Sequence, residues 1–420
     1  MADLAATGPQ KLTTADGRPL KEALQAAQSR AKRRAFMLVL PLLVFILVTF
    51  VWPILQVLHQ SAYNPKFSEN MPGIVQWFKA NPVGTEPDEA AYAILVADLA
   101  AAAQAKNVAV AGERVNYELS GTRSLFTSTG RKAKTLEPPF KESLIALDAQ
   151  WGDPKLWGVM RQVSSAYTPD FFLAALDLQH DEMGNIVRVE EKQRVYVNLF
   201  LRTFALSAAI TVICLILGFP IAHLLSVLPM RTSSLLLILV LLPFWTSLLV
   251  RTTSWMVLLQ GQGVVNNVLV WLGIVADDAR LEMINNLMGT VIAMTHILLP
   301  FMILPLYSVM RPIPPSYVRA ARSLGATSWT AFRRVDLPQT LPGIGAGGLL
   351  VFILSVGYYI TPALVGGASG QLISNLIAFH VNKSNNWSLA AALATILLAA
   401  ILLLYWLYDR LVGIDKLKLG

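Results

Sequence analysis

The sequence contains little cysteine and little charge. Cys214 is the only cysteine among 420 residues. A single thiol, placed within an apolar run, excludes a disulfide framework and a cysteine-based metal site. Charged residues make up 14% of the chain, well below the ~25% usual for a soluble domain. Because apolar runs longer than ~18 residues recur, the sequence predicts a polytopic membrane protein.

Catalytic motifs are also missing. The chain has no phosphate-cradling GxxxxGKS/T loop, no HExxH pair and no nucleophile elbow. We therefore expect no enzyme activity, no catalytic residue, no metal site and no cofactor in this chain. If ATP drives the protein, a partner ATPase subunit must bind the ATP and Mg²⁺.

Acidic residues are absent from the apolar interiors. Proton- or sodium-coupled carriers usually place carboxylates on the ion pathway, so this absence argues against such a carrier. The formal net charge is +8, which in a soluble protein would suggest nucleic acid. Here basic loops at a membrane explain it, and we expect lipid rather than nucleic acid as the partner.

Six apolar runs predict six transmembrane helices in an all-α protein. The first, residues 35–58, follows a basic polar tail, residues 1–34, and is too long for a signal peptide. Five more lie within residues 196–412, at 197–229, 233–259, 286–310, 341–366 and 388–409. A short apolar stripe within residues 260–285 predicts an interfacial or re-entrant helix.

Short loops predict the orientation. Residues 311–336 carry five arginines and one acid, which places them in the cytoplasm by the positive-inside rule. Both termini, including the 413–420 tail, are then cytoplasmic, and residues 260–285 lie outside. The protein is expected in a bacterial inner membrane.

A polar insertion of domain size, residues 59–195, falls outside the membrane. Within residues 64–195 it holds 14 basic and 17 acidic residues. Its clearest helix is predicted over 88–106, and Val187 and Val189 indicate a hairpin with a turn at Met183-Gly184-Asn185. His180, beside Asp181 and Glu182, is interpreted as part of a solvated surface cluster.

The loop at residues 312–344 has the punctuation of two short helices. Ser316 is predicted to cap a helix over 317–324, which Gly325 ends in a left-handed conformation. Thr327 or Ser328 caps a second helix over 329–335, and prolines 338 and 342 stop it. An ordinary basic loop is the alternative interpretation.

Polar residues within the apolar runs are candidates for a translocation pathway. Arg251 faces a wet cavity or a partner, or its side chain reaches the outer interface. A helix break is predicted before Pro362, and broken helices line cavities at membrane depth. Packing is the alternative for the aromatic residues and for His296. The candidates are Arg251, Trp255, His296, Tyr358, Tyr359 and Thr361.

The 312–344 loop resembles the EAA loop of permease subunits in binding-protein-dependent ABC importers. The matching residues are Arg319, Ala320, Ala321, Leu324, Gly325, Ala326, Phe332, Leu337 and Pro338. The stretches 241–259, 296–313 and 358–367 resemble the spermidine/putrescine-type branch. The resemblance covers the first span and residues 197–412, and leaves out most of the insertion.

This resemblance implies a type I ABC importer permease fold and a set of partners. The 317–324 helix would be a coupling helix in a groove of the ATPase. Two ATP-binding subunits, a second or identical permease and a periplasmic solute-binding protein would complete the importer. The insertion would contact the binding protein or cap the entrance.

Two departures from the family pattern concern the charge. Arg319 stands where the family usually has glutamate, which with Ser316 would have completed a capping box. Polyamine permeases often have an acid near the break, where this chain has Tyr358 and Tyr359. A polyamine or related amine is the expected solute, and an opine, aminophosphonate or other zwitterionic or anionic solute is the alternative. A proton-coupled carrier and a membrane receptor or scaffold are the rivals from other classes.

Overall fold

The computed structural model describes residues 20–180 and 185–412, whose regular secondary structure is almost entirely helical. The basic N-terminal tail lies largely, and the 413–420 tail wholly, outside the described residues. Before residue 190 the elements are α1 (Leu20–Ile46), α2 (Trp52–Gln60), α3 (Pro72–Ala80), α4 (Glu89–Gln104), α5 (Val108–Asn116), α6 (Thr122–Lys132), α7 (Phe140–Leu147), α8 (Pro154–Gln162), α9 (Asp170–Ala175), β1 (Leu178–His180) and β2 (Ile186–Arg188). After it they are α10 (Tyr196–Val227), α11 (Met230–Leu241), α12 (Leu248–Leu258), α13 (Val264–Trp271), α14 (Leu287–Met310), α15 (Ser316–Ser323), α16 (Ser328–Ala331), α17 (Leu337–Gly357), α18 (Ile360–Val365), α19 (Ile373–Asn382) and α20 (Trp387–Val412).

The chain forms two compact units, and the first ends at His59. In it, α1 continues through a π turn at Leu47–Val51 into α2. The backbone N–H of Trp52 donates to the carbonyl of Leu47, five residues back. The wider turn makes room for the ring of Pro53, so the helix continues through a proline. Residues 28–60 are long and apolar enough to cross a membrane.

The second unit supplies the remaining spans. Four single helices pass by length and composition: α10, α14, the segment Ser328–Gly357 and α20. A further span, Met230–Trp245 with α12, is bent by 93°. Together with the helix over residues 28–60, these five segments give six spans, as predicted. The single helix predicted over 233–259 is wrong in its continuity, because Pro243 lies in a 3-10 turn and Ser247 starts α12 as an N-cap.

α14 is the centre of the membrane core. It packs against α10 on one side and α17 on the other. A Cβ on Gly343 would lie 3.1 Å from Val309 Cβ, and one on Gly347 would lie 2.9 Å from Met302 Sδ. Helices α14 and α17 approach closely at these two glycines, since α14 occupies the space that their side chains would need.

Helices α3 to α8 form a bundle with its own core. Trp151 and Tyr92 are buried at its centre, and Trp157 lies edge-on to Tyr92 with ring centroids 5.0 Å apart. The predicted helix over 88–106 is confirmed as α4, where the side chain of Asp88 accepts the N–H of Ala91. α4 and α5 bend by 118° and are long and apolar enough together for a span. We do not count them as one, because both pack into this bundle core.

The chain enters this bundle and leaves it at one place, a short backbone pairing that we call the neck. The N–H of Asn64 donates to Ala166 O at 2.8 Å, and the N–H of Thr168 donates to Ala62 O at 2.9 Å. The rings of Tyr63 and Tyr167 lie 4.9 Å apart beside these bonds. The chain therefore enters and leaves the bundle through one short antiparallel pair.

Beyond the neck, the end of the insertion packs onto the membrane core. Phe171 and Ala175 of α9 lie in one cluster with Leu389 and Leu393 of α20. The hairpin predicted around Val187 is confirmed, with Gln179 opposite Val187. Its turn lies largely outside the described residues.

The predicted solvation of His180 is wrong for the imidazole. Its Nδ1 lies 3.2 Å from Asp170 Oδ1, and only 21% of the side chain is exposed. Asp170 in turn lies 3.4 Å from Arg114, whose side chain is fully buried and also pairs with Glu118 at 3.0 Å. Asp181 and Glu182 are outside the described residues.

The loop after the third span contains the predicted short helix. α13 covers eight residues, and the buried Asn266 holds it in place. The Asn266 amide nitrogen donates to Gln260 O and Leu281 O, and its oxygen accepts the N–H of Leu281. Its place at the membrane interface stays a prediction.

Candidate functional site

The first half of the 312–344 loop is a two-turn helix, α15. It begins one residue earlier than predicted, since Pro315 is its N-cap and makes no side-chain capping bond. The capping role predicted for Ser316 is wrong, because the fixed φ of Pro315 already starts the helix. Position 319 therefore lies one residue past the N3 site of a capping box. Gly325 ends the helix at φ +90°, as predicted.

The second half runs without a stop into the next span. The Thr327 side chain accepts the N–H of Thr330 and caps α16. A π turn at Phe332–Asp336 follows, in which Leu337 N–H donates to Phe332 O. The predicted stops at Pro338 and Pro342 are both wrong. The wider turn accommodates the ring of Pro338, and Pro342 lies inside α17. Residues 328–357 are one helical segment of 30 residues.

Aromatic and polar contacts tie this loop to the end of α10. Trp329 stacks on Phe332 at 5.6 Å, and Phe332 meets Phe219 of α10 edge-on at 5.9 Å. Asp336 Oδ2 lies 3.7 Å from His223 Nδ1.

Arg311 holds the start of the loop. Its Nη1 donates to the carbonyls of Ser226 and Leu228 at 2.7 and 2.8 Å. Both ends of the loop are thus fastened to α10, and the cation satisfies carbonyls that a helix end leaves free.

Between these attachments the loop presents an exposed apolar tip. Leu324 is 89% exposed, Trp329 68% and Tyr317 51%. Arg319, Ala320, Gly325 and Pro338 are also exposed, whereas Ala321, Ala326, Phe332 and Leu337 are partly buried. The large apolar side chains of Leu324, Trp329 and Tyr317 are uncovered within the chain itself, and grouped exposed apolar side chains are a feature of interaction surfaces.

A second group of predicted residues meets where α12 faces α14. The indole N–H of Trp255 donates to His296 Nδ1 at 3.0 Å, with the rings edge-on at 5.2 Å. Arg251 lies one turn before Trp255 and interacts electrostatically with His296 and Tyr358. The structure therefore brings Trp255 and His296 into contact, with Arg251 one turn away on the same helix. Sequence reasoning could not pair Trp255 with His296.

The predicted helix break after α17 is present. α17 ends at Gly357, Tyr358 is extended, and α18 starts at Ile360. The buried Thr361 hydroxyl lies 3.1 Å from that of Thr252 on α12. Tyr358 packs into the membrane core, whereas Tyr359 is 45% exposed.

Two residues that the sequence did not indicate hold this break. The Ser374 hydroxyl donates to Tyr358 O, and the Asn375 amide donates to Tyr359 O at 2.7 Å. The carbonyl of Tyr358 has no helical partner because residue 362 is a proline, and Ser374 supplies the missing donor. The carbonyl of Tyr359 already accepts the N–H of Ala363 at 3.0 Å, and Asn375 adds a second bond to it. A Ser-Asn pair at a helix start is too common a pattern to have predicted this role.

Within residues 20–180 and 185–412, no group of three or more His, Cys, Asp or Glu residues could hold a metal ion. The arrangement is that of an exposed loop and a polar contact between helices.

Comparison with known proteins finds membrane components of transport systems. A family model described as binding-protein-dependent transport system inner membrane component matches residues 193–413. The chain is 36% identical over 222 residues to the spermidine/putrescine transport system permease protein PotB of Escherichia coli, across 52% of this chain and 80% of PotB. It is 33% identical over 230 residues to the Escherichia coli inner membrane ABC transporter permease protein YdcU, across 52% of this chain and 73% of YdcU.

One solved structure also resembles part of this chain. It belongs to a bacterial ABC transporter involved in the import of the acidic polysaccharide alginate, with a TM-score of 0.43, 20% identity, and coverage of 51% of this chain and 79% of that one. Residues 59–192 of the insertion lie outside the family match.

Proposed function

This chain belongs to the family of binding-protein-dependent transport system inner membrane components, and on that premise we propose that it carries a polyamine or related amine across the membrane. It is a multi-pass permease subunit of an ABC importer in the inner membrane, and the ATPase of such importers is a separate subunit. The relative PotB is a spermidine/putrescine permease, which supports an amine as the solute.

The 312–344 loop is proposed as the attachment point of the ATPase. One observation carries this assignment: the loop exposes Leu324 almost completely and continues as one helix from Ser328 to Gly357. An ATPase that grips the exposed Trp329 together with Leu324 would move the membrane segment Leu337–Gly357 with it, since Trp329 lies on the same helical segment, Ser328–Gly357. This is helix-in-groove recognition followed by a rigid-body shift.

The test is copurification of the ATPase with Leu324→Asp. A charge in the centre of a docking surface should abolish association, and solute import should be lost with it. Val83→Asp is the matched control, because Val83 is also an aliphatic residue with a largely exposed side chain (77%) and lies in the insertion, away from the loop. Normal copurification with Leu324→Asp would refute the docking role.

The full importer is proposed to contain two ATPase subunits, a second or identical permease and a periplasmic binding protein. The termini and the loop would face the cytoplasm. The single cysteine makes a topology test simple. In a Cys214→Ala background, a cysteine placed at Tyr317 should react with a membrane-impermeant maleimide only after the cells are opened, and one placed at Val83 should react in intact cells. The opposite pattern would invert the proposed orientation.

The insertion is proposed to contact the binding protein or to cap the entrance. The neck between Asn64 and Ala166 allows a clean excision of residues 66–164, with Asn-Gly as the new turn. Asp170→Asn should accompany the excision, because Arg114, its buried partner, is removed. Loss of docking or transport in an otherwise assembled complex is expected, and unchanged transport would refute the role.

A second candidate solute is zwitterionic or anionic. The observation that favours it is the guanidinium of Arg251, which lies beside His296 and Tyr358. Competition assays with diamines and with amino acids of matched length would separate the two candidates.

A further inference from the structure

Arg251 has an incomplete set of partners. Its Nε and Nη1 are shielded from solvent and make no hydrogen bond within the part of the chain that the structure describes. No carboxylate in that part forms an ion pair with it either. A side chain that reached the outer interface would have a wetted guanidinium, so this geometry disfavours that alternative.

His296 adds a second donor to the same place. The indole of Trp255 is a donor only, so His296 Nδ1 must accept its N–H. The proton of the neutral imidazole then lies on Nε2. No described residue accepts a hydrogen bond from that nitrogen. Trp255 therefore fixes the tautomer in which His296 presents a free N–H.

Tyr358 completes the group. Its backbone carbonyl is engaged by Ser374, and its hydroxyl makes no hydrogen bond with any described residue. Arg251 interacts electrostatically with both Tyr358 and His296. The group thus presents a cation, an N–H and a hydroxyl, and it contains no carboxylate. A bound ammonium would meet like charge here, whereas an anionic oxygen would satisfy the donors.

The cost of leaving the Arg251 guanidinium unpaired also favours an anionic ligand. A guanidinium with two shielded nitrogens that make no hydrogen bond is costly at membrane depth and is retained where something pairs with it. Planar, forked recognition of a carboxylate is the interaction for which arginine is best suited.

We propose that Arg251 and His296 form a binding site for a carboxylate. It rests on the proposed importer, in which the carboxylate has two sources: the zwitterionic or anionic solute named above as the second candidate, or an Asp or Glu of the second permease subunit. Trp255 is a positioning residue that sets the imidazole tautomer. The chemistry is the same for both sources, and the test below distinguishes them.

The test uses the complete importer in nanodiscs, first shown to bind and hydrolyse ATP with the wild-type chain. The probes are putrescine and 4-aminobutyrate, which have similar length but differ in having a second amine or a carboxylate. If the solute supplies the carboxylate, Arg251→Gln should weaken 4-aminobutyrate binding about 10- to 100-fold and leave putrescine binding unaffected. Arg251→Lys should lose less, since it keeps the charge but not the fork.

If the second permease supplies the carboxylate, neither probe should distinguish wild type from variant. Instead Arg251→Gln should raise the dissociation constant of the permease pair by a similar factor, measured by dilution and mass photometry. Arg202→Gln is the control, because Arg202 donates to backbone carbonyls of Ala368 and Ser369. Unchanged probe binding together with unchanged pairing overturns the site. Absence of ATPase association in the wild type would instead contradict the proposed function, so the two failures are distinguishable.

Discussion

The carboxylate of Asp177 accepts the backbone N–H of Tyr196 at 3.1 Å. The same carboxylate accepts the N–H groups of Val195 and Val197 at 3.1 and 2.9 Å. A buried residue of the insertion thereby caps α10, whose own N-cap residue, Val195, makes no side-chain capping bond. Three otherwise unpaired amides at the start of α10 therefore bond a carboxylate that lies 18 to 20 residues upstream. The end of the insertion is thus bonded directly to the start of the second span.

Asp177→Ala should destabilise the protein more than the loss of an ordinary helix cap. Removing a cap costs roughly 0.5–2 kcal/mol, and this one is buried and bonds three amides. The unfolding midpoint in detergent, followed by tryptophan fluorescence, should fall. Asp153→Ala is the control, since Asp153 caps the shorter α8 at an exposed site. Equal falls in the unfolding midpoint for both variants would show that the cap of α10 stabilises the protein no more than an ordinary helix cap.

Phe219 and Phe332 should behave as a coupled pair. Their edge-on contact at 5.9 Å fastens the loop to α10, and such pairs contribute about 0.5–1.5 kcal/mol beyond burial. Phe332→Ala should reduce the stimulation of ATP hydrolysis by solute-loaded binding protein. In a double-mutant cycle with Phe219→Ala, the two effects should be less than additive. Full additivity would show that the contact does not transmit the motion.

Removal of the two side chains that hold the break should impair transport. Ser374→Ala with Asn375→Ala leaves the carbonyls of Tyr358 and Tyr359 without these donors, and the break should shift or close. We expect a several-fold lower import rate in a complex that still assembles. Asn382→Ala is the control, because Asn382 bonds Ala378 O in the last turn of the same helix. Normal import by the double variant would contradict the role of α19.

Acid stability of the insertion should depend on Glu113. Burial opposes the charged form of its carboxyl, but the Lys66 ammonium and the Tyr117 hydroxyl outweigh burial and hold its pKa below the usual value. A lowered pKa stabilises the fold above the unfolded value of ~4.3, and this contribution is lost as the pH falls through the folded pKa.

Glu113→Gln should therefore flatten the loss of unfolding temperature between about pH 5 and pH 3, the interval around the unfolded pKa. Glu142→Gln, at an exposed site on α7, is the control and should retain the wild-type profile. An unchanged profile for Glu113→Gln would show that this group does not carry the pH dependence.

Local patterns were sufficient for much of the membrane part and of the loop. Hydropathy alone indicated the spans, and the left-handed turn at Gly325 followed from the lack of a Cβ. The break at Tyr358 followed from Pro362, because a proline has no N–H to donate to the carbonyl four residues before it. The effect of the prolines at 53 and 338 could not be predicted, because a π turn accommodates each ring and the helix continues. Nothing in the local sequence distinguishes such a proline from one that ends a helix.

The sequence by itself determined the class of protein, its apolar spans, the exposed loop and the absence of carboxylates from the membrane interior, because each depends on the composition of one continuous stretch. Only the tertiary structure decided which distant side chains meet: Asp177 with the start of α10, Trp255 with His296, and Ser374 with the carbonyl at the break. These contacts join residues that are far apart along the chain, and their partners are selected by the packing of whole helices. The free donors of Arg251 became visible only when every neighbouring side chain had its place.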